Sequence, residues 1–208
     1  MNDDTYEFTN QWFDFSSPVW ENIVPRYQPR RILEVGSYEG ASACFLIDLL
    51  TKDAHIEIDC VDTWGGGIEH MEQSINMSEV ERRFIKNTKI AIKNAKNPVN
   101  MRMLKGFSCV ELAKIIASGK SGYYDFVYID GSHQAPDVLI DAVLGFSLLR
   151  VGGIIVFDDY LWSENLPSGV DPIRCPKPAI DAFTNIFCRK AKIVRAPLYQ
   201  LYVEKTSD

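Results

Sequence analysis

Two short stretches hold side chains that could do chemistry together: Asp130 with His133 in IDGSH, and Asp158-Asp159 in VFDDY. Each follows an apolar run of buried-strand character, Tyr124–Ile129 and Gly153–Phe157. If those strands are neighbours, three carboxylates converge. Like charges held close raise each other's pKa unless a cation lies between them. A hard divalent ion, Mg²⁺ or another with a preference for oxygen, meets that need through Asp130, Asp158 and Asp159. His133, three residues after Asp130, suits a general base, and a metal would acidify the hydroxyl it deprotonates. His70 is a second candidate base and His55 looks peripheral. The plainer reading is that Asp130-Gly131 is a turn and Asp158-Asp159 opens a loop.

A third group lies nearer the N-terminus, in Glu34-Val35-Gly36-Ser37-Tyr38-Glu39-Gly40-Ala41-Ser42. Gly36 and Gly40 frame a bend where positive φ and close approach of a ligand are needed. The helix starting near Gly40 offers free N–H groups and a positive dipole end to a carboxylate. Asp62, followed by Thr63, ends the next strand and can accept hydrogen bonds from a ribose diol. Together these point to a nucleoside-type cofactor.

The elements that must position these groups alternate along the chain. Arg31–Val35, Ile56–Val61, Met101–Leu104, Tyr124–Ile129 and Gly153–Phe157 read as strands. Helices are expected at Ala41–Leu50, 79–96, Ser108–Ala117, 136–149 and 178–188. Lys192–Arg195 and Tyr199–Glu204 read as late strands, the second with Tyr199, Leu201 and Val203 opposed to Gln200, Tyr202 and Glu204. The class is α/β: a Rossmann-like three-layer sandwich with a seven-stranded, mostly parallel sheet whose last strand is antiparallel. Right-handed crossovers bring every polar strand end to one edge, where such sheets bind ligands. The loops 63–78 and 160–178 leave that edge and are candidate substrate lids. Residues 1–28, with Phe8, Trp12, Phe13, Phe15 and Trp20, read as an aromatic helical segment that packs on the core, roofs the substrate or serves a homodimer interface.

Composition limits the partners. The 208 residues fit a single domain, and 46% hydrophobic content supports a core. A net charge of -6 argues against nucleic acid; Lys86, Lys89, Lys93 and Lys96 read as a solvated helix face. Five scattered cysteines without a CxxC pair indicate neither zinc nor a disulfide framework. With no apolar signal core and no membrane-length run, a cytoplasmic protein is expected.

The turn Glu34–Ser42 resembles the first motif of class I S-adenosylmethionine-dependent methyltransferases, in the E-x-G-[AS]-Y-x-G-x-S form of catechol O-methyltransferase. Asp125–Tyr160 is similar to a bacterial class I family that includes macrocin-like sugar O-methyltransferases. The resemblance implies that Gly36, Ser37, Tyr38 and Gly40 approach the cofactor and that Glu34 and Ser42 lie near its methionine portion. It further implies that Asp62 and Thr63 serve the ribose, that Phe107 and Ser108 flank the adenine, and that Asp130 borders both cofactor and acceptor. Asp159 stands where the catechol enzymes have asparagine among their Mg²⁺ ligands. The expectation is a metal-assisted O-methyltransferase (EC 2.1.1) acting on a small hydroxylated acceptor, with a sugar or sugar-bearing natural product favoured. Alternatives are a metal-independent methyltransferase, a nucleotide-cofactor oxidoreductase, disfavoured by the missing third glycine, and a non-catalytic binding module.

Overall fold

The computed structural model describes residues 5–68, 73–164 and 166–208. After a 3₁₀ turn at Trp12–Phe15, α1 is Ser17–Tyr27, β1 Arg31–Val35, α2 Ala41–Leu50 and β2 Ile56–Asp62. Next come α3 (Met77–Asn94), β3 (Val99–Lys105), α4 (Ser108–Ala117) and β4 (Tyr124–Ile129). The chain ends with α5 (Ala135–Leu148), β5 (Leu149–Phe157), a 3₁₀ turn at Pro172–Arg174, α6 (Lys177–Ile186), β6 (Ala191–Val194) and β7 (Leu201–Lys205).

The strands form a seven-stranded sheet in the order β3-β2-β1-β4-β5-β7-β6. β1 to β5 are mutually parallel, and β7 runs antiparallel between β5 and β6. The winding reverses between β1 and β4, so the crevice of a doubly wound sheet opens at their C-terminal ends. Side chains alternate between two apolar layers, as the pleat requires. Ile32, Phe126, Tyr128, Ile154, Val156 and Tyr202 face α1, α2 and α3. Leu33, Val127, Ile129, Ile155, Phe157 and Val203 face α4, α5 and α6. Among the described residues no helix is long and apolar enough to cross a membrane.

Three expectations are corrected. β5 starts at Leu149 rather than Gly153, because the chain keeps its pairing with β4 through a register shift, with Gly152 at φ +75°. β7 starts at Leu201 rather than Tyr199, which is 72% exposed, and its two faces enter different layers, Leu201 and Val203 in one and Tyr202 in the other. A strand enclosed between β5 and β6, with helices over both faces, buries both of its side-chain sets. The aromatic N-terminus divides. Trp20 is fully buried and meets Phe13, Phe126 and Tyr128 edge-on at 4.9, 5.2 and 4.8 Å, while Trp12 and Phe15 stay exposed.

Candidate active site

The turn after β1 is held from three sides. Gly36 donates its N–H to Val61 O at 2.8 Å, and Asp130 donates to Val35 O at 2.7 Å, so β1 is gripped by both neighbours at its tip. Gly36 has φ +85°, and a Cβ there would lie 2.0 Å from Asp130 O. The glycine is demanded by the chain's own packing before any ligand is considered. Glu34, fully buried, accepts the hydroxyls of Ser37 and Ser42, both at 2.5 Å. Burial raises its pKa and the two hydroxyls oppose that shift. Asp62 Oδ2 accepts the amides of Ser37 and Tyr38 at 2.9 and 3.0 Å, and Oδ1 that of Trp64 at 2.7 Å. Thr63 Oγ1 accepts from Gly65 N at 3.0 Å and shapes the glycine-rich turn.

Glu39, to which the sequence assigned no role, ties this turn to the N-terminus. Its carboxylate accepts Thr9 N and Thr9 Oγ1 at 2.7 and 2.8 Å and pairs with Arg83 of α3 at 2.5 Å. Asn87 of α3 accepts Glu7 N at 2.7 Å and donates to Glu39 O at 2.9 Å. The N-terminal segment therefore lies strapped beside the turn after β1, with the Trp12 and Tyr38 rings 5.1 Å apart.

Across the crevice, the acids divide into two sets. Tyr128, two residues before Asp130 and on the same face of β4, places its hydroxyl between Asp130 Oδ2 (3.0 Å) and Asp158 Oδ2. Gln200 Nε2 donates to Asp158 Oδ2 at 3.1 Å and to the Tyr128 oxygen at 3.3 Å. Gln200 Oε1 accepts the indole N–H of Trp20 at 2.7 Å and the hydroxyl of Tyr202 at 2.5 Å. An indole N–H can only donate, so this pattern fixes which end of the amide faces the acids. Burial, then the charge of Asp158, pushes Asp130 well above the usual carboxylate range; burial and Asp159 raise Asp158. Asp159 turns away at φ +54° and meets His133 Nε2 at 2.8 Å. The His133 ring stacks on Trp162 with centroids 4.0 Å apart.

The carboxylates expected to hold a divalent ion reach one edge but do not form one donor set. Asp158 spends Oδ2 on Tyr128 and Gln200 and Oδ1 on the amide of Asp159, and Asp159 is engaged by His133. Among the described residues no group of three His, Cys, Asp or Glu side chains is arranged to hold a metal ion. As these side chains stand, Asp130, Asp158 and Asp159 do not fit the group. The strand positions were legible, but the rotamers are set by Tyr128, Gln200 and His133, which come from other parts of the chain.

Phe107 is 72% exposed at the same edge, and Ser108 opens α4. His55 precedes β2 and so lies at the opposite edge; His70 lies outside the described residues. Tyr128 could have been found from period two, since it shares a face with Asp130. Trp20, Trp162, Gln200 and Tyr202 carried no local signal.

The strand order and the turn after β1 define a class I methyltransferase fold. A family model described as "Methyltransferase domain" (Methyltransf_24) matches residues 33–160, and the chain belongs to that family. "Probable caffeoyl-CoA O-methyltransferase 3" of Dictyostelium discoideum is 28% identical over 134 residues, 64% of this chain and 45% of that protein. An uncharacterized protein of Acanthamoeba polyphaga mimivirus is 26% identical over 160 residues, 74% of this chain and 65% of its own length. The chain thus spans about half to two thirds of these curated relatives. The O-methyltransferase TomG of Streptomyces achromogenes, solved with S-adenosylmethionine, superposes with a TM-score of 0.65 at 15% identity, covering 92% of this chain and 80% of that one. An O-methyltransferase of Bacillus cereus in complex with S-adenosylhomocysteine gives 0.59 at 16% identity, covering 97% and 84%.

Proposed function

We propose that this chain transfers the methyl group of S-adenosylmethionine to a hydroxyl of a small acceptor, with a sugar or sugar-bearing natural product as the favoured class. The observation that carries the reading is the His133–Asp159 pair, 2.8 Å apart, at the strand ends facing the cofactor turn. Names of relatives support transfer to oxygen. The cofactor supplies an electrophilic methyl on sulfur when bound. Gly36, Gly40, Ser37, Tyr38 and Ser42 form its cradle, and Glu34 keeps the two serines in place. Asp62 has three of its roughly four lone-pair sites committed to loop amides, which leaves one for a ribose hydroxyl. Donation from Nε2–H to Asp159 leaves Nδ1 as the nitrogen that takes the acceptor's proton. The oxygen then bonds to the methyl carbon as the carbon–sulfur bond breaks, and S-adenosylhomocysteine departs. Nδ1 is enclosed, and the cavity lined by Asp130, His133, Asp158 and Asp159 measures only about 10 Å³, room for about one water. The acceptor therefore enters when Trp162 and its loop shift.

Calorimetry with S-adenosylhomocysteine tests the cofactor, and methyl transfer to a panel of hydroxylated acceptors tests the reaction. His133→Ala should lower turnover by about 10²–10⁴-fold while the cofactor product still binds; unchanged turnover removes His133 as the base. Turnover that survives chelation supports the pair acting without a metal. Loss on chelation, restored by Mg²⁺, would select the metal-assisted reading instead.

A further inference from the structure

α5 carries a carboxylate that the chemistry above does not use. Asp141 is 1% exposed, and its Oδ1 has no hydrogen-bond partner among the described residues. The hydroxyl of Ser108 lies beside it and favours its charged form, and a Cβ placed on Gly131 would come within 3.7 Å of its Oδ2. Asp141 therefore sits where the first residue of α4 meets the turn that follows β4. That helix start lacks an ordinary cap: the N-cap is Phe107, and no side-chain cap hydrogen bond is made. First-turn amides have no intrahelical acceptor and carry the positive end of the helix dipole. A carboxylate from the neighbouring helix is what such a terminus needs.

We propose that Asp141 is a positioning residue for the adenine end of the cofactor site: it holds Ser108 and the start of α4, and with them Phe107, against the β4 turn that bears Asp130 and His133. This rests on the reading of Phe107–Ser108 as the adenine side. Asp141 acts through Ser108 and does not touch the reacting atoms. Burial, and to a smaller extent Asp137 one turn earlier on α5, pushes its carboxyl up to about 7, with the Ser108 hydroxyl opposing. Asp137 is the charged neighbour that acts on it among the described residues; α4 faces it with the Ser108 hydroxyl and the β4 turn with Gly131. The ionised form, the better acceptor for the Ser108 hydroxyl, prevails above neutrality, and the protonated form below it.

The experiment is calorimetry with S-adenosylhomocysteine at about pH 6 and about pH 8.5, on either side of that titration, for the wild type, Asp141→Asn and Ser108→Ala. The wild type should bind about three- to tenfold more tightly at the higher pH, and both variants should lose most of that dependence. In Asp141→Asn, kcat at saturating S-adenosylmethionine should stay within about twofold of wild type, because uniform binding is what is lost. Variants that keep the wild-type pH dependence, or a fall in kcat at unchanged affinity, overturn the proposal. Absence of wild-type binding at both pH values overturns the cofactor reading itself, and this inference with it.

Discussion

Gln200 is the residue through which the apolar core reaches the acid pair, and Gln200→Leu measures how much depends on it. Its Oε1 takes the N–H of Trp20 at 2.7 Å and the O–H of Tyr202 at 2.5 Å. Both partners are buried, at 0% and 1% exposure, so water cannot replace the lost acceptor. Leucine fills a similar volume but strands both donors, at about 1–3 kcal/mol each. Losing the Nε2–H bonds to Asp158 and Tyr128 adds about 1 kcal/mol more. The expected destabilisation is about 3–7 kcal/mol, a large share of the ~5–15 kcal/mol typical of a native protein. Urea unfolding followed by tryptophan fluorescence reads this directly, since Trp20 is itself a reporter. A loss under about 1 kcal/mol at an unchanged m-value would refute the reasoning, because m shows whether the unfolding reaction is the same one.

Gly36→Ala should be among the most damaging single-methyl additions. Its Cβ would fall 2.0 Å from Asp130 O at φ +85°, so a loss above about 3 kcal/mol is expected, and a melting curve like that of the wild type would contradict the close approach. Asp141 predicts a stability slope of definite sign. Its folded pKa, about 7, lies above its ordinary value of 3.8, so folding disfavours the ionised form. Stability is fully present below about pH 4 and is lost as pH rises towards 7, by at most about 4 kcal/mol for a shift of roughly three units. Asp141→Asn should remove that slope, gaining on the wild type between about pH 5 and about pH 8 in urea titrations; a difference that does not change with pH would count against it. The variant would then be more stable yet bind the cofactor product less well above neutrality, a familiar opposition where a strained group serves a site.

Strands and helices were legible where periodicity and burial agree. Arg31–Val35, Ala41–Leu50, Ser108–Ala117 and Tyr124–Ile129 match the structure residue for residue. Tyr199–Glu204 was begun two residues early, because alternation marks which faces differ and not where pairing with β5 begins, which is at Leu201. Asp130, His133, Asp158 and Asp159 do share one edge, as strand topology requires. Their pairing could not be read, because a rotamer depends on partners distant in sequence: Tyr128 for Asp130, Gln200 for Asp158, and the turn at φ +54° that sends Asp159 to His133.

The chain's own residue order thus determines the doubly wound sheet, the glycine turn after β1 and the set of polar strand ends, because local propensity and side-chain alternation act over a few residues. Tertiary structure alone decides what those ends do. It turns Glu34 towards Ser37 and Ser42 and Asp62 towards the loop amides. It also joins positions 20, 128, 158, 200 and 202 in one buried network. In a water-free interior most polar groups must find a partner, and those partners are chosen by packing across the sheet rather than by nearness along the chain.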